Sequence, residues 1–166
     1  MHRLFGLAAL AVVSVLALAA CGGSGYGANK SPSTSAQPAP AASSSATTLI
    51  SAKSSSLGTF LVDGNGRTLY LWDADHGAMS TCAGECAQDW PPLTTKAKPK
   101  AGAGVKASLL GTSKRADGTE EVTYAGHPLY YFAGDTAAGQ ATGQGSAAFG
   151  APWWVVSPAG KALTAG

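Results

Sequence analysis

The chain has 166 residues, only 12 % of them charged, and its 11 Lys and Arg against 9 Asp and Glu leave a net charge of +2. A charge this near balance gives no ground for nucleic-acid binding. Once an N-terminal leader and spacer are set aside, the remainder suffices for one ordinary domain with a single core and is too short for two large independent ones.

Residues 1–20 have the three-part form of a secretory signal. Arg3 supplies the basic start, and an uncharged apolar run follows from Leu4 to Ala20 with small residues at its end. Without a second basic cluster it reads as a cleaved leader rather than a membrane span. The stretch "LAAC", Leu18 to Cys21, resembles the lipobox of bacterial lipoproteins. That resemblance implies thioether acylation at Cys21 with palmitate-type chains, a lipid anchor, and a place on the extracytoplasmic face of the cell membrane. An ordinary secreted protein with a fortuitous Cys21 is the plainer alternative. Residues 21–47 are almost entirely Gly, Ser, Ala, Pro, Thr and Gln. Such composition buries nothing and is expected to form a disordered spacer, with a root-mean-square reach on the order of 25–30 Å.

Residues 48–166 form the expected folded domain. "LYLWDAD" at 69–75 returns as "LYYFAGD" at 129–135, so that Gly66, Leu69, Tyr70, Trp72 and Asp75 meet Gly126, Leu129, Tyr130, Phe132 and Asp135. This is a duplication, with repeat one at about 55–95 and repeat two at about 108–160. Turn signals precede each copy, "VDGNGR" and "YAGH", and two more hairpin signals lie at Asp117-Gly118 and Pro158 to Gly160. "VVSPAGKAL" at 155–163 also echoes "LVDGNGRTL" at 61–69, a partial third unit. No apolar stripe of helical period exists outside the leader, and "AGAGVKASLL" supports a turn at most. The fold class is therefore all-β: a small domain of two pseudo-repeats built from hairpins, barrel-like or sandwich-like.

On a strand Tyr70 and Trp72 share one face while Leu69 and Leu71 share the other, and the second copy alternates likewise. Strands apolar on both faces belong in a core. Asp75 and Asp135 fall where each strand should turn, and each is expected to close an Asx turn on the backbone just ahead. Rings beside carboxylates also resemble a sugar-binding platform. A glycosidase, however, needs two carboxylates at roughly 5–10 Å, and the spacing of Asp73, Asp75 and Asp135 in sequence does not supply that separation. Ser-His-Asp, HExxH and phosphate-loop signatures are lacking in the sequence.

Of three Cys, one is the lipid site, which leaves Cys82 and Cys86 of "CAGEC" to close a disulfide outside the cytoplasm. The competing reading uses His76, Met79, Cys82 and Cys86 as soft ligands for Cu(I), or the two thiols as a redox pair. Lys96, Lys98, Lys100 and Lys106 lie among Pro and Gly without aromatics, as in a solvated inter-repeat loop; contact with anionic wall polymer or lipid is the alternative.

"TLYLWDAD", "PLYYFAGD" and "CAGECAQDWPPL" together resemble a family of secreted-repeat bacterial lipoproteins with a Y-x-[FWY]-x-x-D motif. The motif fits Tyr70, Trp72 and Asp75, then Tyr130, Phe132 and Asp135, and the resemblance implies predicted lipoproteins of unknown function with no catalytic residues to carry over. The second copy lacks the Cys pair, having "GQATGQGSAAFGAPWW" in its place. The expectation is a non-catalytic, cofactor-free binding or interaction module, joined to the membrane by its lipid. Cell-wall carbohydrate or a surface protein is the expected partner, and the metal or redox lipoprotein is the alternative.

Overall fold

The computed structural model describes residues 47–164; the expected signal peptide (1–20), Cys21 and the linker (21–47) except Thr47 lie outside the described residues. The elements are β1 (Leu49–Ser55), β2 (Gly58–Asp63), β3 (Tyr70–Trp72), α1 (Glu85–Asp89), β4 (Thr94–Thr95), β5 (Lys100–Ala101), β6 (Leu110–Lys114), β7 (Glu120–Tyr124), β8 (His127–Pro128) and β9 (Trp153–Val155). The domain is all-β apart from the five-residue α1 and two short 3-10 turns. α1 was not anticipated, because one turn and a half is too short to show a helical period.

The turns are closed by the residues that signalled them. After Asp63 the chain reverses through Gly66 at φ 81°, with the Arg67 carbonyl accepting from the Asp63 N–H at 2.9 Å. A side chain with Cβ is strained in that left-handed region. Ser157 to Lys161 makes the same turn, with Gly160 at φ 79° and a 2.8 Å bond from the Ser157 N–H to the Lys161 carbonyl. The bridge Val156–Ala162 then matches Val62–Thr68, so the partial third unit is a repeated hairpin closure.

Two antiparallel hairpins form the flanks: β1 with β2, Ile50 opposite Asp63, and β6 with β7, Leu110 opposite Tyr124. β5 adds in parallel to β1, while β4 and β8 pair with β7. Between the flanks β3 pairs with β9, Trp72 opposite Trp153 and Tyr70 opposite Val155. The alternation read from sequence sorts the core into two clusters. Tyr70, Trp72, Tyr130, Trp90, Trp153, Val155, Phe60 and Val62 fill one. Leu69, Leu71, Leu129, Ile50, Leu61, Val122 and Val156 fill the other.

The hydrogen bonds also show that the repeats exchange strands. Asp73 N–H bonds to the Pro152 carbonyl and Val156 N–H to Leu69; in parallel, Ala133 N–H bonds to Asp89 and Leu93 N–H to Leu129. Residues 89–93 thus lie on the second motif strand as residues 152–156 lie on the first. Each repeat ends on the other's motif strand, and Trp90 is the mate of Trp153.

Candidate functional site

At the centre Tyr70 and Tyr130 form an antiparallel bridge, each N–H bonded to the other's carbonyl at 2.9 Å. Their hydroxyls then cross over: Tyr70 donates to Asp135 Oδ2 at 2.6 Å and Tyr130 to Asp75 Oδ2 at 2.5 Å. The second oxygen of each carboxylate closes a loop. Asp75 Oδ1 accepts from the Thr81 N–H and hydroxyl at 2.7 and 2.8 Å, and Asp135 Oδ1 from those of Thr142 at 2.9 and 2.6 Å. The expected Asx turns are therefore replaced by longer closures, six and seven residues on. Both Asp side chains are buried. Burial, followed by the Asp135 bond, pushes the Tyr70 phenol far above its ordinary range, and burial with the negative charge of Glu121 does the same to Tyr130.

Around this centre the rings stack. Trp72 lies on Trp153 at 5.0 Å between centroids, Trp153 on Trp90 at 4.0 Å, and Trp90 on Phe132 at 4.5 Å. Tyr70 meets Trp90 edge-on at 5.3 Å, as Tyr130 meets Trp153 at 5.2 Å. Each such pair contributes about 0.5–1.5 kcal/mol beyond its area burial. The rings of Tyr70, Trp72 and Tyr130 are turned into the core and offer no platform for a sugar, and Phe132 is half-buried against Trp90.

One half carries an ion pair that the other lacks. Glu121 is fully buried where the pairing places Phe60 in repeat one. Its Oε2 takes Arg115 Nη1 at 2.7 Å, and Arg115 also donates to Ser80 Oγ and to the Cys82 carbonyl, both at 2.6 Å. Ser80 Oγ lies 2.6 Å from the Tyr130 hydroxyl, which joins the pair to Asp75. Burial outweighs the Arg115 attraction and raises the Glu121 carboxyl to about 7.

A family model described as a secreted repeat of unknown function matches residues 51–94 and 111–157, more than half of the chain. The chain belongs to that family. No curated protein and no solved structure matched it. Both matched spans contain a motif strand and the segment that crosses to the other repeat, so the strand exchange joins the two secreted repeats to each other.

In this secreted-repeat domain Cys82 and Cys86 are joined by a disulfide, with Cα atoms 5.3 Å apart. His76 and Met79 are exposed, and among the described residues no group of three or more His, Cys, Asp or Glu is placed to hold a metal. Asp73, the third carboxylate considered, accepts from Trp154 Nε1 at 2.9 Å at the surface. The stretch from His76 to Trp90 is duplicated in part: Thr81 matches Thr142 and Trp90 matches Trp153. At the position after the Thr, repeat two has Gly143, where a Cβ would come within 2.6 Å of Trp90 and 3.0 Å of Phe132. A Cys side chain at that position would displace those two rings. Arg115 and Glu121 escaped the sequence reading, as did the match of Trp90 with Trp153, for which the one signal available was "DWPP" set against "PWWV". No helix among the described residues is long and apolar enough to cross a membrane.

Proposed function

We propose that this chain is a lipid-anchored, extracytoplasmic binding module that catalyses no reaction. One observation carries the reading: the Tyr hydroxyls and Asp carboxylates that would serve acid–base chemistry are buried and already bonded to each other across the repeats. The motif is a clasp, and recognition falls to the loops and hollows outside it. Membership in a secreted-repeat family supports an extracytoplasmic place, and "LAAC" at 18–21 supports acylation at Cys21. Envelope polymers and surface proteins are the partners such a tethered module meets.

Three experiments test it. Cys21→Ala should release the protein from membranes, and unchanged retention would refute the anchor. The purified protein, offered wall-derived and chromogenic substrates, should turn over none; activity that disappears in Asp75→Asn or Asp135→Asn would refute the non-catalytic reading. Stoichiometric Cu(I) uptake by the reduced protein, abolished in Cys82→Ser, would favour the metal alternative instead.

A further inference from the structure

From Pro91 to Lys114 the chain carries Lys96, Lys98, Lys100, Lys106 and Lys114 and no acidic residue, whereas the rest has six basic residues against nine acidic. All five lysines are exposed, and among the described residues none forms an ion pair. Two hollows of about 400 and 370 Å³ lie against this stretch and share Lys98, Pro99 and Leu110, making one groove. Ala97 and the half-buried Leu110 give it apolar surface, Thr95 and Thr112 add hydroxyls, and Glu120 is its one carboxylate.

A loop needing only solubility would mix its signs. Unpaired like charges around a concavity repel one another and focus a positive potential into it, and an anionic occupant relieves that repulsion. A bilayer is best met by a flat or convex face; lysines bordering a groove suit a chain that enters it. We infer that this groove binds an extended polyanion, a phosphate- or carboxylate-bearing envelope polymer, with its anionic groups on Lys96, Lys98 and Lys100 and its backbone over Ala97 and Leu110. The inference rests on the binding-module reading and names its ligand class.

The test titrates the full mature protein with polyphosphate and with poly-glutamate over a range of salt. Binding through three lysines should weaken with a log–log salt slope of about −2. Lys98→Glu should lower affinity about tenfold or more, while Lys161→Glu, the same charge change at an exposed lysine outside the groove, should stay within about twofold. Leu110→Trp fills the groove without altering charge and should also weaken binding about tenfold. Thr112→Trp, at an exposed position, repeats that test should Leu110→Trp fail to fold. Equal losses from Lys98→Glu and Lys161→Glu, indifference to both Trp variants, or binding to phosphatidylglycerol vesicles but to neither polymer would overturn it. Failure to bind either polymer removes this ligand class and leaves the module reading intact, whereas turnover in the substrate assay removes that reading instead.

Discussion

Tyr70 and Asp135 belong to different repeats yet share a 2.6 Å hydrogen bond, and Tyr130 with Asp75 repeats that bond in the opposite sense. Each motif is therefore incomplete within its own copy. Tyr70→Phe should cost about 2 kcal/mol, since a buried carboxylate loses a donor. Denaturant titration of the double-mutant cycle would locate the coupling: Tyr70→Phe with Asp135→Asn should couple by about 1 kcal/mol or more, and Tyr70→Phe with Asp75→Asn should be nearly additive. Coupling in the second pair rather than the first would contradict the crossed pairing.

Glu121 sets a pH dependence. Its folded value of about 7 lies above the ordinary 4.5, so the folded protein binds a proton between those values that the unfolded chain does not. Stability from this group is full below about 4.5 and is lost as pH rises through about 7. Urea midpoints should fall as pH rises across that window, and Glu121→Gln should flatten the change. An unchanged slope in Glu121→Gln would assign the effect to other groups.

The ring stack makes a graded prediction. Trp153→Ala removes a fully buried indole stacked on both sides and should cost about 3–5 kcal/mol, whereas Trp72→Ala, at the end of the stack and covered by an indole on one side only, should cost less. Parallel indoles 4.0 Å apart also couple electronically. The circular dichroism of the native protein should show an exciton couplet that is weakened in Trp90→Phe, lost in Trp153→Phe, which breaks both indole pairs, and retained in Trp154→Phe.

Reduction of Cys82–Cys86 should lower stability by no more than about 2 kcal/mol, because the loop it closes is short. The fold should persist through Arg115, which holds the Cys82 carbonyl and Ser80 from the other repeat. Hydrogen exchange should accelerate at residues 76–86 and leave β3 and β9 protected. Global unfolding on reduction would mean that the disulfide does more than pin a loop.

Much of this was readable in the chain, for local reasons. Gly66 and Gly160 marked turns because few other residues tolerate their backbone, and the alternation Leu69, Tyr70, Leu71, Trp72 assigned side chains to opposite clusters because strand geometry has period two. The failures were long-range. Residues 89–93, with Pro91 and Pro92 among them, carry no strand signal, although the segment pairs with the second motif strand. Glu121 in "TEEVTY" looks like the solvent face of a half-buried strand, and only the cover on both faces of β7 makes it interior. Asp75 and Asp135 were placed correctly at strand exits, but their partners sit in a fold whose pairing no local pattern encodes.

The crossing of residues 89–93 and 152–156 bears on how such a domain could arise. Each repeat supplies a strand its neighbour needs and lacks the one it gives away, so one copy alone has an open motif strand and half a ring stack. Two separate copies related by a two-fold axis would satisfy every one of these pairings between molecules. A polypeptide carrying a single repeat should therefore assemble as a symmetric homodimer, and duplication with fusion would convert that dimer into the present single-chain fold. The connection from Thr95 to Ala107 then acts as a hinge. Shortening it should force the exchange back between chains and yield interlocked dimers.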